Sequence, residues 1–341
     1  MKDASLDEAL SMELAGDDPT PGPGARTSWT HGAVAPTTAQ RTLAAPVTIE
    51  GVGLHSGAAV TMTLRPGAPG RGLWVRRLDV TGRNPMIPAR WDHVTDTRLC
   101  TMLGNTEGVT VSTVEHLMAA LAGLGVDNLD IEVDGPELPV MDGSSAAFVT
   151  AILKVGTVAQ PAVRQAIRVL DEITVEDGQT WLALRPARRG LTIEAEIQFD
   201  SPVIGHQHHA ITVSPDSFRA DLADCRTFGF AHEVAFLRAN GLAQGGSLDN
   251  AVVIDGDRVL NPEGLRRPDE FVRHKALDAL GDLALAGHPI IGVYAGLRPS
   301  HRANNLLLRA LFARPAAWRL EPALSTAADI TDGVQEARRR A

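Results

Sequence analysis

The sequence predicts an α+β protein built from two related α+β layers, packed helix layer against helix layer. Three observations carry that prediction. Extended segments alternate with helical ones along the chain. The order of elements recurs in the second half. Each half also carries one helix with imidazole and carboxylate side chains on it.

Composition sets the limits. A chain of 341 residues that is 44% hydrophobic and 21% charged has ample material for one large or two medium cores. The net charge of −9 argues against a general attraction to nucleic acid or anionic lipid, so no nucleic-acid partner is expected and any phosphate must be held locally. Cys100 and Cys225 are too few for a disulfide framework and fit a reducing, cytoplasmic setting. The first residues pass through Glu8, Glu13, Asp17 and Asp18 without an apolar core, so they read as neither secretory signal nor membrane anchor. No stretch approaches the roughly 20 apolar residues that span a bilayer. Residues 1–39, rich in Pro and Gly, read as a disordered extension. A first domain is expected over 40–155, a linker over 156–164, a second domain over 165–315 and a tail over 316–341; a monomer is expected.

Residues 47–50, 60–64 and 73–76 alternate apolar with polar or β-branched side chains and stop at Gly or Pro, as short strands do. A helix follows. Ser112 precedes it, Glu115 stands three residues on, Leu117, Met118, Leu121 and Leu124 give apolar spacing, and Gly123 and Gly125 stop it. A strand over 129–133 and a helix over 144–155 complete the first half. In the second, strands at 167–170, 181–184 and 191–197 precede a helix at 269–286, a strand at 290–294 and a helix at 302–312. That closing strand and helix match the pair that follows Glu115, so the equivalent helices are expected to face each other and bring His116 toward His274 and Asp278.

The stretch 269–282 is the most informative. His274, Asp278 and Asp282 recur every four residues, which puts them at about 0°, 40° and 80° around a helix. Apolar Val272, Ala276, Leu277, Ala279, Leu280 and Leu283 fill the opposite arc. Such a stripe is either a solvated face or a ligand set. His, His and Asp form a permitted zinc set with a fourth position open to water, and His116, His274 and Asp278 supply it.

Glu115, beside His116, fits a general base that deprotonates water; taken alone, its spacing from Ser112 favours a capping box in which it only reaches back to the Ser112 amide. His301, in a loop after the strand, is either a solvated side chain or the acid for a leaving amine, with Asp282 as its hydrogen-bond partner. The Thr227 hydroxyl suits a developing oxyanion. Lys275 is one of three lysines in the chain, and it is either a solvated helical side chain or a point charge for a phosphate or carbonyl. His206, His208 and His209 suit a surface loop and are assigned no metal.

Residues 40–43, 51–57, 112–125, 141–144, 226–230 and 269–283, with His301, Asn304 and Asn305, together resemble the LpxC family, the UDP-3-O-acyl-N-acetylglucosamine deacetylases of lipid A synthesis. The resemblance is collinear over roughly 40–315. It implies a zinc site at the junction of two related domains, with His116, His274 and Asp278 holding Zn2+. Glu115 would be the base, His301 the acid, Asp282 its orienter and Thr227 the oxyanion partner, with Lys275 nearby. It further implies UDP-3-O-acyl-N-acetylglucosamine as the bound partner, with Phe199, Phe228, Lys275, Arg298 and His55 as contacts. An insert from Phe228 to about Asp255 would form an acyl passage lined by Ala235, Phe236, Leu237 and Leu242. Arg298 replaces an expected Lys, and Arg98, Ser300 and Arg302 also depart from the family pattern. A zinc amidase acting on another N-acyl substrate and a non-catalytic sugar-nucleotide binder are the competing readings.

Overall fold

The structure, a computed structural model, describes residues 39–323. The extension read over 1–39 therefore lies outside the described residues except for Ala39, which already sits in a strand.

The first half forms a five-stranded sheet. Leu129–Val133 enters its middle, antiparallel to Ala59–Pro66 and parallel to Leu73–Arg77, with Val47–Val52 and Met86–Pro88 outermost. Leu129, Ile131 and Val133 are buried while Asp130 and Glu132 are less so, and this alternation fixes which face the helices cover. The second half repeats the order. Ile290–Leu297 runs antiparallel to Thr180–Arg185 and parallel to Leu191–Gln198, with Ile173–Asp177 and His206–Thr212 outside them. Gln165–Val169 and Trp318–Pro322 extend this sheet to seven strands.

Six α-helices are described: α1 (Glu115–Leu124), α2 (Ala146–Val155), α3 (Pro215–Asp221), α4 (Ala231–Ala239), α5 (Glu270–Ala284) and α6 (His301–Phe312). In each half one helix precedes the central strand and one follows it: α1 and α2 around Leu129–Val133, α5 and α6 around Ile290–Leu297. The two leading helices pack on each other. Their approach is close enough that a Cβ on Gly281 would stand 2.1 Å from the Glu115 carbonyl oxygen, so only glycine fits there. Leu117, Met118, Leu121, Leu277 and Leu280 form the core around that crossing.

Several expectations need correction. Residues 156–164, read as a linker, contain the strand Thr157–Val163, which pairs antiparallel with Ala39–Leu43. Its half-exposed side chains and Pro161 hid it, because an edge ribbon has no apolar face to alternate. The tail begins later than expected, since Trp318–Pro322 pairs with Gln165–Val169. His206, His208 and His209 lie on a strand at the sheet edge rather than in a loop. Two small sheets are inserted as well. Val94–Asp96, Met102–Gly104 and Thr110–Val111 form one; Phe228–Phe230 and Val252–Asp255 pair in parallel across α4 to form the other, with Arg258–Val259 at its side. Among the described residues, no helix is long and apolar enough to cross a membrane.

Candidate active site

His116 is the second residue of α1, while His274 and Asp278 sit one turn apart on α5, so the packing of those two helices brings the three together. Asp278 Oδ1 lies 3.3 Å from His274 Nε2 and 3.7 Å from His116 Nε2. All the donor atoms lie within 4.8 Å of one another, and the two Asp278 separations are close to the roughly 3.3 Å between ligand atoms of four-coordinate zinc with bonds near 2.0–2.1 Å. All three residues are buried, and they are the one group among the described residues whose donor atoms could hold a metal ion.

The donors are also in the state a cation needs. Asp278 Oδ1 is buried with no hydrogen-bond partner, which would be costly unless something positive meets it. Burial, helped by the neighbouring His274, holds the His116 imidazole down to about 3, and burial lowers His274 too, so both rings give up a proton more readily than a free imidazole. Burial acts to raise the Asp278 carboxyl, but His274 and Lys275 hold it well below the usual carboxylate range. The Cys225 carbonyl accepts from His274 Nδ1 at 3.0 Å, which leaves Nε2 as the lone-pair nitrogen toward Asp278. Lys275 Nζ donates to Asp278 Oδ2 at 2.8 Å. The residues present fit a bound divalent ion.

Glu115 and His301 flank this group. The cap reading of Glu115 fails: Val114 is the N-cap of α1 and makes no side-chain cap bond, Thr113 takes φ 58°, and the Ser112 amide donates to the Pro136 carbonyl. Glu115 Oε2 instead accepts from the Thr101 amide at 3.0 Å, and Oε1 lies 3.7 Å from His301 Nε2. Burial pushes the Glu115 carboxyl up to about 7, against the pull of the His301 charge. His301 is not in a loop but is the first residue of α6, where the Ser300 hydroxyl caps the helix by accepting from the Ala303 amide.

Behind His301 lies a relay of which the sequence predicts only the Asp282 link. Asp282 Oδ2 accepts from His301 Nδ1 (2.8 Å) and from Asn304 Nδ2 (2.8 Å), while Oδ1 accepts from the Thr101 hydroxyl (2.6 Å). Asn304 Oδ1 in turn accepts from Tyr294 Oη at 2.8 Å. Burial alone would depress the His301 imidazole, but Asp282 and Glu115 override it and hold the ring protonated up to about 10. Thr101 ties the two roles together, with its amide on Glu115 and its hydroxyl on Asp282. Of the remaining members, only Asn304 left a trace in the sequence, three residues beyond His301 and one helical turn on the same face.

The remaining candidates are positioned less uniformly. Phe199, Lys275 and Arg298 line one cavity of about 360 Å³ together with Ile197, Gln198, Asp200 and Pro299. Phe228 packs edge-on to Phe199, and Lys275 Nζ stands 5.7 Å from its ring centre. Thr227 lies between Cys225, whose carbonyl holds His274, and Phe228, whose ring is 6.4 Å from the His274 ring. Its amide donates to the Gly143 carbonyl, and its own carbonyl accepts from Val252. Just before it, buried Arg226 is clamped to Glu270 at the start of α5, through Nε (2.9 Å) and its amide (3.0 Å). His55 stands apart from that cavity: its amide and those of Ser56 reach the buried Glu137 carboxylate, and both of its ring nitrogens lack partners. Arg302 pairs with Asp177 at 3.1 Å and Arg98 with Asp96, both at the surface. Within the insert Phe236 is 69% exposed, and α4 buries none of its residues.

Comparison with known proteins agrees with this geometry. The sequence profile of the family described as "LpxC: UDP-3-O-acyl N-acetylglycosamine deacetylase" matches residues 40–313. The chain is 52% identical, over 86% of its length and 99% of the relative's, to the UDP-3-O-acyl-N-acetylglucosamine deacetylase of Phenylobacterium zucineum (strain HLK1). Proteins of the same description in Shewanella loihica (strain ATCC BAA-1088 / PV-4) and Haemophilus influenzae (strain 86-028NP) are 48% and 47% identical, each over 82% of this chain and 92% of the relative. The chain belongs to the LpxC family.

Proposed function

We propose that the protein hydrolyses the N-acetyl group of UDP-3-O-(3-hydroxyacyl)-N-acetylglucosamine, releasing acetate, as a zinc-dependent deacetylase of cytoplasmic lipid A synthesis. The observation that carries this reading is the buried trio His116, His274 and Asp278 with Glu115 and His301 flanking it, in a chain of this family. A zinc ion held by the trio supplies Lewis acidity, making water more acidic and drawing electron density from the amide carbonyl.

The chain's own groups do the rest. Glu115 Oε1 takes the proton from the attacking water, and its raised pKa suits a base working near neutral pH. The Thr227 hydroxyl, which makes no side-chain hydrogen bond among the described residues, donates to the oxyanion that forms on the carbonyl oxygen. His301 donates its Nε2 proton to the departing amine, so that acetate and the free 2-amino sugar separate. Asp282 holds the opposite nitrogen of that ring and, with Thr101 and Asn304, keeps Nε2 aimed at the site. Lys275, Arg298 and Phe199 share a cavity suited to the anionic and ring portions of a sugar nucleotide. The insert around α4 would take the acyl chain.

The test is metal analysis joined to an acetate-release assay on the nucleotide substrate. Stoichiometric zinc with acetate release that needs both the UDP and the acyl chain is expected. Release from a substrate lacking either group at the same rate would instead assign a broader amidase.

A further inference from the structure

A second cavity, of about 270 Å³, opens at the other end of the same two helices. Its wall joins both halves of the molecule. Ala122, Gly123 and Val126 come from the end of α1 and the turn after it; Leu280, Leu283 and Ala284 come from the end of α5. The floor is aliphatic, with Val126, Ala166, Leu280, Leu283 and Ile290 all less than 5% exposed, and no Phe, Tyr or Trp lines it. The rim is basic. Arg164, Arg168, Arg188 and Arg189 stand there with Asp127 among them, and Glu321 reaches Arg168 from beside the lining, in a chain whose net charge is −9.

The chemistry narrows the occupant. The lining holds a single aromatic ring, His288, while its floor is aliphatic, so the floor favours an alkyl chain over a nucleotide or other flat ring. An aliphatic cavity of about 150 Å³ holds a benzene, so this one accepts an alkyl segment of several carbons. Arg164 already pairs with Asp127 at 2.7 Å and Arg168 with Glu321 at 2.6 Å, which leaves exposed Arg188, in the turn before Leu191, as a cation that can meet a new anion. We infer that this cleft binds a straight-chain amphiphile with an anionic head, of the fatty-acid class, with its alkyl chain on the α1–α5 floor and its carboxylate at the arginine rim.

The site is distinct from the acyl passage proposed for the insert, and the experiment separates them. The full-length, metal-loaded protein is irradiated with a diazirine-bearing fatty acid of about ten carbons, and labelled peptides are identified by mass spectrometry. Label within 122–126 or 280–291 is expected, displaced by excess decanoate but not by decyltrimethylammonium. Arg188→Glu, at an exposed position that lines this cavity, is expected to reduce that label about tenfold while acetate release is unchanged. Ala284→Phe, which fills the floor, is expected to abolish it, and a melting curve checks that this variant folds. Label confined to 228–255, label indifferent to head-group charge, or none at either place would overturn the inference. Loss of acetate release in the unmodified protein would count against the proposed function and leave this assignment standing.

Discussion

The two halves share a sheet order yet divide the chemistry unequally. In each, a leading helix precedes a central strand that is antiparallel to one neighbour and parallel to the other. The ten-residue α1 presents only Glu115 and His116, both in its first turn. The fifteen-residue α5 presents His274, Lys275, Asp278 and Asp282 along its length, and α6 adds His301 and Asn304. The repeat therefore supplies a frame, and the site exists only where the unlike helices cross. In the proposed site neither half alone would hold an ion, because one contributes His116 and the other His274 and Asp278.

Breaking the second half's contribution has the largest expected effect. Asp278→Ala removes the carboxylate between the two imidazoles, and both bound metal and acetate release should fall to background; full zinc content in that variant would take Asp278 out of the ligand set. On the first half, Glu115→Gln should keep the metal but lower turnover by about 10²–10⁴-fold. Turnover close to that of the unaltered protein would return Glu115 to a purely structural role.

Asp282→Asn tests the link from α5 to α6. The acid must be protonated to work, so activity persists below the His301 pKa and is lost above it. Asp282 is the main group raising that pKa to about 10, so its removal should move the alkaline limb of the pH–rate profile down toward 6.5, the ordinary imidazole value. An unmoved limb would mean that His301 does not set it.

Two smaller effects sharpen the picture of the crossing. Gly281→Ala drives a Cβ into the Glu115 carbonyl and should cost roughly 1–3 kcal/mol, read from chemical denaturation. Gly229→Ala, with nothing within 4 Å, serves as the neutral control. Tyr294→Phe leaves Asn304 Oδ1 without its donor in a buried place and should cost about 1 kcal/mol. It should also bring a modest downward shift of the alkaline limb, smaller than that of Asp282→Asn.

Much of this was legible in the sequence, for identifiable reasons. The four-residue spacing along α5 survives folding because helical periodicity is a local property, and Val272, Leu277 and Leu280 of the apolar arc it implied are buried. The recurring element order disclosed the doubled sheet. Other features depended on contacts distant in sequence. The capping box was a false lead, because Ser112 is drawn into a bridge with Glu137 and Thr113 turns left-handed, so no local rule could apply. Thr101 joins Asp282 across 181 positions of chain, and a lone Thr carries no pattern. The ribbon Thr157–Val163 was invisible because its partner is the far end of the described chain, Ala39–Leu43.

The most direct test of the central claim is a crystal structure of the zinc-loaded protein with anomalous data at the zinc edge. One peak about 2.0–2.2 Å from His116 Nε2, His274 Nε2 and an Asp278 oxygen is the predicted result. A peak held by residues of one half alone, or none at the α1–α5 crossing, would contradict it.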